Sequence, residues 1–94
     1  MRKFEYKDET SYSRGERGNI PPRVLATTIN GIRIVIHRHR YYPDTWLLSC
    51  SRLNIDDKDL NTNDFEKAEE KAKEIILNTI YEINKIRDYI LGLD

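Results

Sequence analysis

The spacing of hydrophobic positions changes once along the chain, from alternation in the first half to a helical repeat in the second. Between residues 23 and 53, apolar and polar residues alternate in three runs, which predicts antiparallel strands. From residue 63 onward, apolar residues recur every three or four positions, which predicts a helix. The sequence therefore predicts an α+β fold, a three- or four-stranded antiparallel sheet followed by one long C-terminal helix packed on it.

Asn30 and Gly31 separate the first two strand-like runs, VLATTI and IRIVIHR. Both residue types tolerate positive φ, so the pair predicts a two-residue type I′ hairpin turn. Residues opposite each other across such a turn point to the same side of the sheet. The predicted core pairs are Ile29 with Ile32, Thr27 with Ile34, and Leu25 with Ile36. The other side mixes apolar residues with Arg33 and His37, so it faces solvent or a partner.

The rest of the chain divides as one domain, 1–94, around these strands. Residues 1–22 are predicted to be a flexible segment or an edge strand. After a turn at 41–44, a third strand should place Trp46, Leu48 and Cys50 in the core. Residues 56–59 are predicted to form a polar loop, and the strands together occupy 23–53.

The C-terminal helix is predicted from about Asp64 to Leu91, within the range 63–91 that includes its cap. Asn63 can cap its start with Glu66 three positions on, and Gly92 can end it. The apolar stripe of this helix consists of Phe65, Ala68, Ala72, Ile75, Ile76, Ile80, Ile83, Ile86 and Ile90.

The predicted helix is too long for its sheet, since 28 residues at ~1.5 Å each span roughly 42 Å, against about 26 Å for an eight-residue strand. The surplus is apolar, and soluble monomers rarely expose such a patch. A twofold partner is the simplest cover, which predicts a homodimer. A helix kink onto the N-terminal segment and the groove of a different protein are the alternatives. The predicted dimer contacts are Tyr81, Ile83, Ile86, Tyr89 and Ile90.

Composition describes a small globular chain of 94 residues, 38% hydrophobic and 34% charged. No apolar run approaches the roughly 20 residues of a spanning helix, and the polar start lacks the apolar centre of a signal peptide, so we expect a cytoplasmic protein. The single cysteine excludes an internal disulfide.

The net charge of zero is unevenly distributed. Residues 1–52 carry ten Lys+Arg against five Asp+Glu, or +5, whereas residues 53–94 carry six against eleven, or −5. Eight of the ten cations in the first half are arginine, which binds phosphate and carboxylate bidentately. The first half therefore favours an acidic or phosphate-bearing partner, unless the two halves neutralise each other within the fold or a dimer.

Two candidate metal sites are incomplete. His37 and His39 share one strand face, but Cys50, the only third ligand nearby, is predicted on the other face. DKDLNTND resembles the start of a calcium loop, yet Thr62 and Ala68 stand where that loop needs glycine and glutamate. No phosphate loop, nucleophile elbow or paired carboxylates are recognisable. We therefore expect neither a metal, nor a cofactor, nor an enzyme.

Cations and aromatic rings cluster at the predicted sheet edge, in the segment HRHRYYPDTWLLSC and its flanks. Such an edge suits either an acidic protein surface or single-stranded nucleic acid, although the acidic helix half opposes the second. The predicted partner-binding residues are Arg33, His37, Arg38, His39, Arg40, Tyr41 and Tyr42.

Over about residues 32–76, the strands and polar loop followed by the run DFEKAEEKAKEII resemble the HicB-type antitoxin module, in which a small antiparallel sheet leads into a helix. This resemblance implies a protein that masks a partner. The chain is compact and rich in Lys, Ile and Asn, and in size and composition it also resembles accessory proteins of phages and mobile elements, including anti-CRISPR inhibitors. The resulting expectation is a non-enzymatic inhibitor or antitoxin-like factor acting on a nucleic-acid-processing complex; the alternative is direct binding of single-stranded nucleic acid.

Overall fold

The computed structural model describes residues 3–38 and 44–93. Its elements are β1 (Lys7–Asp8), β2 (Val24–Ile29), β3 (Ile32–Arg38), β4 (Trp46–Cys50), a single 3₁₀ turn (Ser51–Leu53), β5 (Ile55–Asp59) and α1 (Phe65–Leu91). Within this part of the chain, five strands form one antiparallel sheet in chain order. The α+β prediction is confirmed, and the sheet has one strand more than the larger number predicted.

The β2–β3 hairpin forms as its sequence predicts. Asn30 and Gly31 have φ values of 51° and 78°, the left-handed conformation that a type I′ turn requires. The register pairs Ile29 with Ile32, Thr27 with Ile34, and Leu25 with Ile36. Ile34, Ile36 and Thr27 are buried, which confirms the predicted core face for these residues. Ile29 is 40% exposed instead, because it lies next to the turn at the end of the hairpin.

β5 corrects the prediction of a polar loop at residues 56–59. It pairs with β4 and closes one edge of the sheet, with a register irregularity between Leu48 and Cys50. Asn54 and Asp57 have positive φ values of 57° and 46°, which produce the turn before the strand and the bend within it. The strand is held by main-chain hydrogen bonds while its charged side chains face water, which is typical of edge strands.

The ends of α1 are fixed by local hydrogen bonds. Asp64, not the predicted Asn63, is the N-cap: its Oδ1 accepts a hydrogen bond from Glu66 N at 3.0 Å. The carbonyl of Asn63 instead accepts the Trp46 indole N–H at 3.0 Å, which ties the helix start to β4. At the other end, Gly92 has φ of 74° and its N–H bonds to Tyr89 O, so the predicted glycine stop is confirmed.

The core lies between the sheet and the first three turns of α1. Ala68 and Ala72 are fully buried there, because only small side chains let the helix approach the strands closely. Burial along the helix ends at Ile76. The buried apolar residues of this core are Ile34, Ile36, Trp46, Leu48, Cys50, Leu60, Ala68, Ala72 and Ile76. Ala26 is also buried, but it lies on the other side of the sheet, opposite Val35.

Aromatic rings attach the N-terminal segment to this core. The Tyr6 ring lies edge-on to Phe65 at 5.3 Å between centroids, and Phe65 lies edge-on to Trp46 at 5.1 Å. Burial, and then the nearby Glu69 carboxylate, raises the pKa of the Tyr6 hydroxyl above its ordinary value. The segment before β1 is therefore part of the packed domain.

Candidate recognition surfaces

The predicted partner-binding residues are distributed over two sides of the sheet. Arg33 and His37 lie on the side away from α1, which we name the outer face; Val35, Leu47 and Ser49 share it. Arg38 lies on the helix side at the strand end, where its Cζ is 4.6 Å from the centroid of the Trp46 ring. His39, Arg40, Tyr41 and Tyr42 lie outside the described residues.

Arg33 forms a bidentate ion pair with Glu9, the residue directly after β1. Arg33 Nη2 lies 2.6 Å from Glu9 Oε1 and Nη1 lies 2.9 Å from Oε2. The pair holds the pKa of the Glu9 carboxyl below its ordinary value and raises the pKa of Arg33, chiefly through the hydrogen bonds themselves. The guanidinium is therefore fixed in orientation and largely neutralised.

The lowered pKa of Glu9 gives a pH prediction. Because the folded-state pKa lies below the ordinary value of 4.5, the pair's contribution is fully present above that value and is lost as pH falls through the folded-state pKa. We expect the stability difference between wild type and Glu9→Gln to be largest near pH 7 and to shrink as the pH is lowered below 4.5. Urea unfolding of both proteins at a series of pH values measures it. A difference independent of pH would mean that Glu9 acts through packing.

His37 meets two side chains from neighbouring strands. Its Nε2 lies 3.0 Å from Ser49 Oγ on β4 and 3.2 Å from Asp57 Oδ1 on β5. Ser49 Oγ also lies 3.2 Å from Asp57 Oδ1 and accepts the Asp57 N–H at 3.1 Å. These contacts join β3, β4 and β5 across the outer face.

The cluster of His37, Ser49 and Asp57 does not have the geometry of a catalytic triad. In a triad, the carboxylate holds His Nδ1 while Nε2 takes the serine proton. Here the carboxylate lies beside Nε2, and the Ser49 hydroxyl can give its proton directly to Asp57. A hydroxyl held in this way serves as a bridge between strands, and the arrangement fixes the ring of His37 on the surface.

Carboxylates make the outer face a surface of mixed charge. The partners Glu9 and Asp57 were not among the predicted site residues, and neither was Ser49. Asp59 adds another carboxylate on the neighbouring edge; its Oδ1 accepts hydrogen bonds from Asn61 N and Thr45 Oγ1, which lower its pKa. Arg33 and His37, the two predicted site residues described on the outer face, thus each have a carboxylate within 3.2 Å.

The second surface is the C-terminal extension, which we define as residues 77–93. Beyond Ile76, α1 has no buried residue in the described part of the chain. Ile86 is 62% exposed, Tyr89 76% and Ile90 75%. The molecule measures 58 × 25 × 23 Å because this part of the helix projects past the sheet. All five predicted dimer contacts, Tyr81, Ile83, Ile86, Tyr89 and Ile90, are exposed on it.

Groups of three or more metal-binding side chains are absent from residues 3–38 and 44–93. No helix in the described ranges is long and apolar enough to cross a membrane. Comparison with known proteins gives no match to a family model, a curated protein sequence or a solved structure.

Proposed function

We propose that the chain is a non-enzymatic binding protein, an inhibitor or antitoxin-like factor that occupies the surface of a nucleic-acid-processing protein complex with the outer face of its sheet. The observation that supports this proposal is that a carboxylate lies beside both Arg33 and His37 on the outer face. A rigid surface of alternating charge complements another protein surface of alternating charge, because each fixed group selects its opposite.

The same observation disfavours direct binding of nucleic acid. Binding to a polyanion draws its strength from cations that release counterions as they neutralise phosphates. Arg33 is already neutralised by Glu9, and Asp57 and Asp59 lie on the strand at the neighbouring edge. Phosphates approaching this face would have to displace or tolerate these carboxylates.

Self-association through the C-terminal extension is the second part of the proposal. The extension exposes large apolar side chains in a row, and a second copy would bury them without requiring any other protein. A homodimer would also present two outer faces to the partner complex, which increases apparent affinity when both can bind at once.

The ion pair on the outer face provides the experiment. Tagged protein is recovered from an extract of its native host with and without nuclease, and bound proteins are quantified by mass spectrometry. We expect Arg33→Glu to reduce a nuclease-resistant protein partner at least tenfold. The swap Glu9→Arg with Arg33→Glu keeps the ion pair but reverses its pattern, so it should fold normally and still fail to bind. Arg52→Glu, an exposed change in the 3₁₀ turn, is the matched control.

Two results would contradict the proposed function. If nucleic acid is recovered and no protein remains after nuclease, the outer face binds nucleic acid directly. If a nuclease-resistant partner is retained equally by wild type, Arg33→Glu and the swap, the outer face is not the binding surface.

A further inference from the structure

The exposed apolar residues of the C-terminal extension continue the helix stripe that packs on the sheet. Ala72 and Ile76 are buried against the sheet, and the same alternation of four and three positions leads to Thr79, Ile83 and then Ile86. Ile90 is the next member. Such a heptad spacing is the pattern by which two helices pack side by side. We name Thr79, Ile83, Ile86 and Ile90 the seam.

We infer that the seam packs against the seam of a second copy in antiparallel orientation, with Ile83 opposite Ile86 of the partner subunit and Thr79 opposite Ile90 of the partner subunit. The inference rests on the proposed self-association and adds its direction and register. Three observations support it: the position of the sheet, the length of the extension, and the residues that lie on either side of the seam.

The sheet excludes the parallel orientation. Helices that pack side by side have axes about 8–10 Å apart. A parallel partner would place its own residues 65–76 along the face of α1 that carries Ala68, Ala72 and Ile76, and the sheet already covers that face. An antiparallel partner overlaps α1 only over the extension, where the seam is uncovered. Glu82 and Arg87 have the spacing of an ion pair in a parallel dimer, but an exposed pair contributes too little to displace a sheet.

The length of the extension fits the antiparallel register. When Ile83 faces Ile86 of the partner subunit, the helix end at Leu91 comes opposite residue 78 of the partner subunit. This is two positions beyond Ile76, where burial against the sheet ends. In this register each helix ends before the part of the other copy's α1 that packs on its sheet, and the partner helix covers the seam along its whole length.

Residues beside the seam are compatible with the register. At a spacing of 3.6 residues per turn, Arg87 comes opposite Ile80 of the partner subunit and Glu82 opposite Tyr89 of the partner subunit, so no like charges meet. Thr79 Oγ1 donates to Ile75 O at 2.7 Å, which leaves its methyl group for the seam.

Tyr81 is separated from the seam by its place on the helix. It lies on the opposite side of α1 from Ile83 and Ile86, and Lys85 Nζ is 4.7 Å from the centroid of its ring. The seam thus contains three of the five residues predicted for a dimer, Ile83, Ile86 and Ile90. Tyr89 lies beside the seam, and Tyr81 lies outside the contact. Tyr81 and Ile86 are almost equally exposed, at 60% and 62%, so they form a matched pair for substitution.

Sedimentation tests which side of α1 forms the dimer contact. Wild type at micromolar concentration should have about twice the chain mass of 11.2 kDa. Ile86→Asp should sediment at the chain mass with an unchanged circular dichroism spectrum, because Ile86 is outside the core. Tyr81→Asp should sediment like wild type. A monomeric wild type would contradict the proposed self-association itself, and dissociation by both substitutions would place the contact on another face.

Cysteine cross-linking tests direction and register. Cys50 is 1% exposed, so a thiol-specific cross-linker should leave wild type unmodified. An equimolar mixture of Thr79→Cys and Ile90→Cys chains should give at least tenfold more cross-linked dimer than either chain alone. Efficient cross-linking of Thr79→Cys alone would establish the parallel orientation instead. A dimer by sedimentation that yields no cross-link in any mixture would contradict the register while leaving self-association intact.

Discussion

Replacement of Leu48 by alanine should lower the free energy of unfolding by about 3 kcal/mol, the typical cost of emptying a fully buried leucine site. Leu48 is 0% exposed at the centre of β4, between Ile36 on β3 and Lys58 on β5. For a domain of this size the loss corresponds to a decrease of roughly 12–24 °C in melting temperature. Urea and thermal unfolding followed by circular dichroism measure both quantities.

Leu47→Ala is the matched control on the same strand. Leu47 points to the outer face, where it is half-buried beside His37 and Asp59. We expect a loss of about 1 kcal/mol or less, because water can occupy the vacated space. Equal losses for the two variants would show that the outer face is packed as tightly as the core, which would contradict its assignment as an open recognition surface.

The hairpin and the helix could be predicted because their determinants are local. Asn30 and Gly31 specify a turn from two adjacent residues, and that turn alone fixes the register of β2 against β3. Gly92 ends α1 with an N–H that bonds to the carbonyls of Asp88 and Tyr89, only four and three residues earlier. The projection of the C-terminal extension past the sheet could be predicted from length alone, because the rise per residue is known for both helices and strands.

β5 could not be predicted because its sequence contradicts the usual composition of a strand. Four of its five residues are charged, and only Ile55 packs on the core. An edge strand needs only main-chain hydrogen bonds on one side, so tertiary pairing with β4 overrides the low strand propensity of aspartate. The register irregularity between Leu48 and Cys50 has no counterpart in the periodicity of apolar residues.

The partners of the predicted site residues were missed for a related reason. Glu9 is 24 positions from Arg33, and Ser49 is 12 positions from His37, so their contacts depend on how separate strands align. Asp57 reaches Ser49 only because β5 exists and carries an irregularity there. Sequence analysis could identify Arg33 and His37 as outer-face residues, whereas the carboxylates beside them could be found only from the assembled sheet.

The segment that carries Glu9 is itself held by a buried hydroxyl. Thr10 is 7% exposed, and its Oγ1 accepts the Arg23 N–H at 2.8 Å and the Val24 N–H at 3.0 Å. Glu9 N in turn donates to Val24 O at 2.9 Å. These bonds connect the end of β1 to the start of β2, across 13 and 14 positions of sequence. They therefore position the carboxylate that orients Arg33.

Thr10→Val should lower the free energy of unfolding by about 2 kcal/mol, because the change keeps the shape of the side chain but leaves two backbone donors without their acceptor. Thr10→Ser keeps the oxygen and should cost about 1 kcal/mol or less. Amide hydrogen exchange at Arg23 and Val24 should accelerate in the valine variant alone, since exchange reports local opening of these bonds. If valine and serine variants are equally stable and exchange alike, the methyl group of Thr10 holds this segment and its hydroxyl does not.

The valine variant should also weaken partner binding less than Arg33→Glu does, because it loosens the support of the ion pair without reversing a charge.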